Sequence, residues 1–258
     1  MSNTFESFRK LHQQEEPLLL GNVWDAQSAK AFEKLKYQAI GTSSAAVAEA
    51  LGYEDGENMP FDEYLFVIKR IKESVNIPVT VDLEGGYGKT EEAIVENIKK
   101  LVGLGVAGIN IEDTVVTKTG RTIVDVDQFA AKLKGITEKL KAQNLNIFIN
   151  VRCDTFLLNV PDATNEAVKR IKAYDKTGVH GIFLPCITNE YDIKATVTAT
   201  SLPVSVMCMP GLPDFNTLSY LKVKRISMGP FLSRAVYKRM EELSATIQSE
   251  GSFASVFK

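Results

Sequence analysis

Short runs of valine, isoleucine and leucine recur along the chain at intervals too long for hairpins and long enough for an intervening helix. Their apolarity is nearly continuous and lacks strict alternation, which is typical of parallel strands buried on both faces. The pattern predicts eight strands, at residues 18–23, 39–43, 77–83, 108–112, 146–152, 181–185, 202–207 and 225–228.

Amphipathic segments separate these strands and predict the helices of a surrounding layer. In residues 90–104, for example, Ala93, Ile94, Ile98 and Leu101 share one face, and lysines and glutamates occupy the other. Further helices are predicted at residues 25–35, 61–74, 126–142, 165–177, 189–198, 214–221 and 230–249.

Eight strand and helix units spread over the whole chain favour a closed α/β fold. Five to seven units would have favoured an open doubly wound sheet, whereas eight fit a single (β/α)8 TIM barrel, which commonly has about 250 residues. We therefore expect one domain over residues 1–258, with a leading segment at 1–16 and a tail at 250–258. The tail is expected either to pack on a partner subunit or to fray.

The overall charge favours small-molecule chemistry over binding to large anionic partners. Thirty basic and 32 acidic residues give a net charge of -2, which provides no broad attraction for nucleic acid or an anionic membrane. No apolar run approaches the ~20 residues of a membrane span, and the polar N-terminus has no signal-peptide pattern, so a cytoplasmic protein is expected. The isolated cysteines Cys153, Cys186 and Cys208 predict free thiols.

Polar residues gather at the carboxyl ends of the predicted strands, where barrel enzymes carry their active sites. Carboxylates that share a cleft repel one another unless a cation neutralises them, and oxygen ligands without clustered His or Cys favour Mg²⁺ or Mn²⁺. The strand-end residues are Thr42, Ser43, Ser44, Asp82, Glu84, Glu112, Asp113, Arg152, Asp154 and Cys186.

Each of these residues also has a purely structural interpretation. The acids could cap helices with Arg152 as their ion-pair partner, or Arg152 could be the planar fork that grips a substrate carboxylate or phosphate. The stretch 42–44 could hold an oxyanion or cap a helix. Trp24 could line the pocket or pack in the core, and Cys186 could be reactive or inert. His12 and His180 lie away from the strand ends, so a Ser-His-Asp arrangement is not expected.

Seven sequence motifs, in order and on the predicted strands, resemble those of the isocitrate lyase and phosphoenolpyruvate mutase superfamily. The similarity covers roughly residues 18–240, and the motifs are GNVWD at 21–25, TSS at 42–44, LGYED at 51–55, VDLEGGYG at 81–88, GINIED at 108–113, INVRCD at 149–154 and GIFLP at 181–185. The resemblance implies a (β/α)8 barrel that forms a homodimer or homotetramer, with its last helix packed on, or swapped with, a neighbouring subunit. It also implies Mg²⁺ bound to a 2-oxo acid.

The same resemblance assigns roles to individual residues. Asp82 is the expected main metal carboxylate, with Glu84, Glu112 and Asp55 around the metal through water; Asp55 is also a candidate catalytic residue. Arg152 resembles the clamp for the substrate carboxylate. Thr42, Ser43 and Ser44 resemble the cradle for the oxygens of the oxo acid, and Trp24 and Cys186 complete the expected substrate-binding set.

Three departures narrow the expected chemistry. Residues 114–121 lack the cysteine loop of the isocitrate-type lyases and the long gating loop of the mutase, although Lys118 could take over the catalytic role. Glu84 replaces the usual aspartate. Cys186 and Met207 stand where polar substrate contacts are common, which indicates a smaller or less polar distal pocket.

Three functions remain open on this basis. The first is a Mg²⁺-dependent carbon–carbon lyase or decarboxylase that acts on a small 2-oxo or 2-hydroxy dicarboxylate through an enolpyruvate-like intermediate. The second is carbon–phosphorus chemistry on phosphonopyruvate or phosphoenolpyruvate, for which Lys118 and Arg121 are the relevant basic residues. The third is a non-catalytic protein that binds an oxo acid.

Overall fold

A computed structural model describes residues 4–257 of the chain. Its strands are β1 (Leu18–Val23), β2 (Ile40–Thr42), β3 (Val79–Asp82), β4 (Gly108–Glu112), β5 (Thr114–Thr117), β6 (Gly120–Ile123), β7 (Phe148–Arg152), β8 (Gly181–Leu184), β9 (Val204–Met207) and β10 (Arg225–Ser227). Its α-helices are α1 (Thr4–Leu11), α2 (Ala26–Lys34), α3 (Ser44–Leu51), α4 (Phe61–Glu73), α5 (Glu91–Gly103), α6 (Val126–Ala142), α7 (Ala163–Tyr174), α8 (Glu190–Thr198), α9 (Phe215–Tyr220) and α10 (Phe231–Glu250).

Eight of the strands form a closed parallel barrel in the order β1-β10-β9-β8-β7-β4-β3-β2. The predicted (β/α)8 barrel is therefore confirmed, and each predicted strand overlaps one barrel strand. β4 and β7 have the longest shared register, from Gly108 opposite Phe148 to Glu112 opposite Arg152. This register brings the ends of two adjacent strands, and their charged side chains, to the same rim.

The helix predictions from periodicity hold for α2 and for α4 to α10, whereas two helices were not predicted. α1 is an eight-residue helix within the polar leading segment. α3 is alanine-rich and buries Ser44, Ala46, Val47 and Ala48, so it has no polar stripe to reveal its period. Tertiary packing, and not amphipathicity, explains why α3 is helical.

A two-stranded antiparallel hairpin follows β4 and was also not predicted. It consists of β5 and β6, with Thr114 opposite Ile123 and Thr117 opposite Gly120. Val115 and Val116 of this hairpin are exposed. Val116 packs against Gly56, where an added Cβ would come within 2.8 Å of its side chain. The hairpin thus covers one side of the barrel mouth.

Helix α1 closes the opposite, N-terminal end of the barrel. Phe8 is fully buried, and the His12 ring is stacked on Phe148 with 4.4 Å between ring centroids. His180 also lies at this end, 5.5 Å from Phe148. Both histidines are therefore far from the strand ends that carry the candidate chemistry, as the sequence indicated.

The last part of the described chain runs from α10 into a 3-10 turn at Ala254–Phe257. Ser233 is the only buried residue of α10. The apolar side chains of Val236, Tyr237 and Met240 on the same helix are exposed. Within residues 4–257, no helix has the length and apolarity needed to cross a membrane.

Candidate active site

A cavity of about 380 Å³ opens at the carboxyl ends of the barrel strands. Its walls include eight of the residues singled out from the sequence by motif or strand end: Thr42, Ser43, Ser44, Asp55, Asp82, Arg152, Cys186 and Met207. Its other polar and charged lining residues are Asn22, Asn110, Arg121, Arg225, Ser227 and Arg234. The fold therefore unites most of the predicted site in one place.

Asp82, the last residue of β3, is held on both of its carboxylate oxygens. Ser44 Oγ donates to Asp82 Oδ2 at 2.8 Å, and Asn110 Nδ2 donates to Oδ1 at 3.2 Å. The backbone is fixed as well, because the Asp82 amide donates to Thr42 Oγ1 at 3.0 Å and Tyr64 OH donates to the Asp82 carbonyl at 3.0 Å. Each carboxylate oxygen keeps lone-pair capacity for a further ligand.

The Asn110 amide is oriented toward Asp82 by two donors on its own oxygen. Arg225 Nη2 donates to Asn110 Oδ1 at 3.2 Å, and Asn150 Nδ2 donates to the same atom at 3.0 Å. With the oxygen occupied, the Asn110 amide nitrogen must face Asp82. Arg225 is 1% exposed, and burial lowers its pKa to about 10, partly offset by the charge of Asp82. A buried cation thus lies directly beneath the candidate metal carboxylate.

The stretch from Thr42 to Ser44 begins helix α3 and has more than one role. Ser43 is the N-cap, because its side chain accepts from the Ala46 amide at 3.3 Å. Ser44 instead bonds Asp82, and its Oγ also lies 3.5 Å from Asp55 Oδ1. The helix-cap interpretation therefore applies to Ser43, whereas Ser44 links two carboxylates and the start of a helix.

On the wall of the cavity next to Asp82, two arginines and two buried acids form a network of ion pairs. Arg152 Nε donates to Asp154 Oδ1 at 2.6 Å, and its Nη1 lies 2.8 Å from Glu112 Oε2. Arg121, from β6, contacts Glu112 Oε1 and lies 3.2 Å from Asp55 Oδ2. Burial raises the pKa of Glu112 to about 7, while Arg152 acts in the opposite direction. The predicted ion pairing of Arg152 is real, yet its side chain still lines the cavity.

Glu84 does not line this cavity, although it is only two residues from Asp82. Its Oε2 accepts from the Glu57 amide at 2.8 Å, and its Oε1 accepts from Tyr87 OH at 2.8 Å. Glu84 has a positive φ of 51°, which directs the chain into the glycine-rich turn. Burial, followed by the charges of Asp55 and Asp82, raises the Glu84 pKa to about 8. The glutamate thus ties the turn to the loop that carries Asp55.

Asp113 belongs to a structural network behind the site. Asp113 is fully buried, and its carboxylate accepts three hydrogen bonds. The donors are Tyr174 OH at 2.8 Å, Arg170 Nη1 at 3.1 Å and the Asp154 amide at 2.9 Å. Burial raises its pKa, and the bond from the Asp154 amide opposes that shift most strongly. Asp113 therefore fixes the backbone that carries Asp154, which in turn holds Arg152.

Three other predicted residues have distinct positions. Lys118 lies exposed in the turn between β5 and β6 and does not line the cavity. Trp24 lines a separate surface groove with Val47 and Tyr237. Cys186 does line the cavity, with its Sγ 3.9 Å from Met209 Sδ, and burial raises the pKa of its thiol. A raised pKa disfavours the reactive thiolate form.

Sequence reasoning did not assign site roles to Asn22, Asn110, Arg225 and Arg234, which all line the cavity, and it named Arg121 only as a basic residue for carbon–phosphorus chemistry. One signal was available for Arg225, since an arginine inside an otherwise apolar strand is rarely buried without a functional or structural reason. Asn22 and Asn110 carried a similar signal as polar residues within buried strands. Nothing local identifies Arg234, because a helix outside the barrel brings it to the cavity.

The donor set around Asp82 fits a divalent cation held by few protein ligands. Asp82 and Asp55 share the Ser44 hydroxyl and face the cavity, and their mutual repulsion adds to burial in raising the Asp55 pKa. Within residues 4–257 no three acidic, histidine or cysteine side chains converge as a metal cage. One or two carboxylates completed by water are nevertheless what Mg²⁺ typically uses.

Comparison with known proteins gives consistent matches over most of the chain. The family described as phosphoenolpyruvate phosphomutase matches residues 8–248. An uncharacterised protein of Mycobacterium tuberculosis (strain H37Rv) is 33% identical over 224 residues, covering 86% of this chain and 81% of that protein. The oxaloacetate decarboxylase of Bradyrhizobium sp. (strain BTAi1) is 27% identical over 237 residues, covering 86% and 79%. A solved Burkholderia cenocepacia J2315 structure, described as a candidate phosphonomutase, is 34% identical with a TM-score of 0.86, covering 96% and 100%.

Proposed function

The chain belongs to the phosphoenolpyruvate phosphomutase family, within the isocitrate lyase and phosphoenolpyruvate mutase superfamily, and on that premise we propose a Mg²⁺-dependent carbon–carbon lyase or decarboxylase. Members of the superfamily are lyases or mutases. The proposed substrate is a small 2-oxo or 2-hydroxy dicarboxylate, cleaved through an enolpyruvate-like intermediate. The Bradyrhizobium relative, an oxaloacetate decarboxylase, supports carbon–carbon chemistry on such an acid.

The observation that carries the proposal is the composition of the cavity. One wall presents the Asp82 carboxylate with unused lone pairs, and the adjacent wall presents the guanidinium groups of Arg152 and Arg121. This arrangement suits a small acid that is anchored at one end through a cation and attracted at the other end by positive charge.

Asp82 and Asp55 are the residues proposed to hold Mg²⁺, with Mn²⁺ as an alternative. Glu112 and Glu84 have both carboxylate oxygens engaged by protein groups, so a role for them runs through water. When bound, the metal supplies stabilisation of the negative charge that develops on the substrate oxygen.

The remaining groups of the cavity bind and orient the substrate. The amides at the start of α3 donate toward the carboxylate end of the acid, where Thr42 and Ser43 fix the backbone and the Ser44 hydroxyl holds Asp82. Arg152 is prevented from swinging by Asp154 and Glu112, so its remaining donors have a fixed direction. The exposed position of Lys118 and the separate groove of Trp24 do not support their proposed roles, whereas the position of Cys186 is consistent with substrate contact.

A second candidate is carbon–phosphorus chemistry, and one observation favours it. Arg121 reaches the cavity from the hairpin that follows β4, where a basic residue was expected for a phosphonate or phosphate substrate. The similarity to the Burkholderia protein described as a candidate phosphonomutase points the same way. Engagement of Arg121 by Asp55 and Glu112 weighs against it, because these carboxylates occupy the donors that a phosphoryl group requires.

The test is a substrate screen with purified protein and Mg²⁺. Oxaloacetate, isocitrate, methylisocitrate, phosphonopyruvate and phosphoenolpyruvate are each supplied, and both pyruvate and phosphate are measured. We expect pyruvate without phosphate from a carbon–carbon substrate. Phosphate release supports the second candidate, and Mg²⁺-dependent oxalate binding without any turnover supports the non-catalytic alternative.

A matched pair of variants tests the site itself. Asp82→Ala is expected to abolish turnover and Mg²⁺-dependent oxalate binding, because it removes the carboxylate held by Ser44 and Asn110. Asp62→Ala is the control, since that side chain is 88% exposed on α4, and it should change neither. Unchanged binding and turnover in Asp82→Ala means that the site lies elsewhere.

We also propose a homodimer or homotetramer in which α10 packs against a neighbouring subunit. The support is that α10 buries only Ser233 in the single chain, while Val236, Tyr237 and Met240 are exposed. Sedimentation velocity on the purified protein measures the mass directly. A monomer at micromolar concentration contradicts this proposal.

A further inference from the structure

The cavity is polar on one side and apolar on the other. Most of the charged and hydroxyl groups described above come from the ends of β2, β3 and β7, the loop after α3 and the hairpin, whereas the opposite side comes from β8, β9 and the segments that follow β7, β8, β9 and β10. This second side, here called the apolar wall, consists of Leu157, Phe183, Cys186, Met207, Met209 and Phe231. No acidic side chain of the cavity lining belongs to the apolar wall.

The apolar wall is closely packed. Gly229 has a φ of 56°, and an added Cβ there would lie 2.5 Å from Met207 Sδ, so the glycine leaves the space that the thioether fills. On the other side, Cys186 Sγ lies 3.9 Å from Met209 Sδ. Cys186 is itself held in a left-handed conformation with a φ of 66°, which directs the chain at the end of β8. Thioether and thiol groups form a polarisable, adaptable surface for apolar ligands.

Charge at the edge of the apolar wall is largely neutralised. Arg234, near the start of α10, lies at one edge, and its Nε donates to Glu49 Oε1 at 3.1 Å. Arg152, which pairs with Phe183 between β7 and β8, lies at another edge and is held by Asp154 and Glu112. A second carboxylate of a substrate would therefore gain more from Arg152 and Arg121 on the polar side than from the apolar wall. The apolar wall can instead stabilise a ligand by removing its hydrocarbon surface from water.

The volume of the cavity allows such a group. At about 380 Å³ it falls within the range of roughly 300–1,000 Å³ that is usual for small-molecule sites. In the proposed function the acid head binds at the end of the cavity beside Asp82 and Ser44. The space along the apolar wall is left for a substituent on the same molecule.

We propose that the substrate is a 2-oxo or 2-hydroxy acid with an alkyl substituent, which packs on the apolar wall while the acid head binds beside Asp82. This inference rests on the proposed function and narrows its substrate class. It also assigns Met209 and Met207 as specificity-determining residues, since they present the surface on which the alkyl group rests.

Binding of a homologous series of 2-oxo acids tests the inference without relying on turnover. Pyruvate, 2-oxobutanoate, 2-oxopentanoate and 2-oxohexanoate are titrated calorimetrically into the Mg²⁺-loaded protein, with oxalate as the probe that has an acid head and no alkyl chain. Burial of each added methylene should raise the affinity about 4-fold, so the series should span about 60-fold. An affinity that is flat or falls along the series overturns the inference.

Paired variants locate the effect on the apolar wall. Met209→Gln keeps the length of the side chain but makes it polar, and it should reduce the gain per methylene, whatever change it makes in the affinity for oxalate. Leu35→Gln is the control, because Leu35 is 69% exposed at the end of α2, and it should keep the full gain. An equal gain per methylene in Met209→Gln and in the native protein refutes the role of the apolar wall.

Different results would contradict the acid-head site and the alkyl substituent. If oxalate shows no Mg²⁺-dependent binding, or binds equally well to Asp82→Ala, the acid-head site is wrong and the proposed function fails with it. If oxalate binds through Asp82 but the chain length has no effect, only the alkyl substituent is refuted. A steep rise with chain length that is lost in Met209→Gln supports both.

Discussion

Replacing His12 should remove much of the acid sensitivity of the fold. His12 is 3% exposed beneath the barrel, where its ring is stacked on Phe148 and its Nδ1 lies 3.0 Å from the Phe8 carbonyl oxygen. Burial, and then the charge of Arg225, lower its pKa from 6.5 to about 3. The native state therefore holds the neutral ring, and only the unfolded chain takes up a proton in mild acid.

The sign and size of the effect follow from proton linkage. Because the folded pKa lies below the unfolded one, the full stability is present above pH 6.5 and is lost as the pH falls toward about 3. The contribution of His12 makes the free energy of unfolding about 2 kcal/mol lower at pH 5 than at pH 8. Below about pH 3 the total decrease is about 5 kcal/mol. Glu84 and Glu112, whose pKa values are raised, act in the opposite direction.

The assay compares urea unfolding of native protein and His12→Asn at pH 8 and pH 5. Asparagine can keep the donor to Phe8 but cannot titrate, so the variant should be less stable at pH 8 yet lose about 2 kcal/mol less on acidification. Gln13→Asn, at the exposed neighbouring residue, should retain the native pH dependence. If His12→Asn and the native protein lose equal stability between the two pH values, the buried neutral histidine is not the cause.

Two further predictions concern the framework that supports the site. Arg170→Met should lower the free energy of unfolding by about 3–5 kcal/mol, because it leaves the fully buried Asp113 without its cation. The control Lys169→Met, at an exposed neighbouring residue, should change the free energy of unfolding little. Similar urea midpoints for the two variants contradict this reasoning. Gly86→Ala should destabilise by more than about 1 kcal/mol, because its φ is 108° and an added Cβ meets helix α5 at 2.8 Å. Gly103→Ala, in open space within α5, should instead raise the melting temperature, and a lower value than for Gly86→Ala refutes the backbone argument.

The sequence contained the information for the barrel because parallel strands buried on both faces must be continuously apolar. The eight runs therefore marked the eight barrel strands, and the ends of those runs marked Asp82, Glu112 and Arg152. Glycines after helices followed the same local logic, since Gly105 and Gly178 have φ values of 78° and 84°. Helix α3 escaped this logic because burial on several sides left it without a polar face.

The direction of side chains at the site was not encoded locally. Glu84 follows Asp82 by two residues, yet its carboxylate turns away to Tyr87 and the Glu57 amide, because the loop before α4 supplies donors there. Arg121 and Lys118 lie three residues apart on one hairpin, and only the strand pairing decides that Arg121 meets Asp55 while Lys118 stays exposed in the turn.

The amino-acid sequence by itself thus determined the barrel and the residue types that stand at the carboxyl ends of its strands. Those features depend on periodicity and on residue type at strand ends, which are local properties of the chain. Only the tertiary structure decided which charges face the cavity, that Arg225 lies beneath Asp82, and that the far side is apolar. These features depend on contacts between residues far apart in sequence, and those contacts exist only after the barrel has closed.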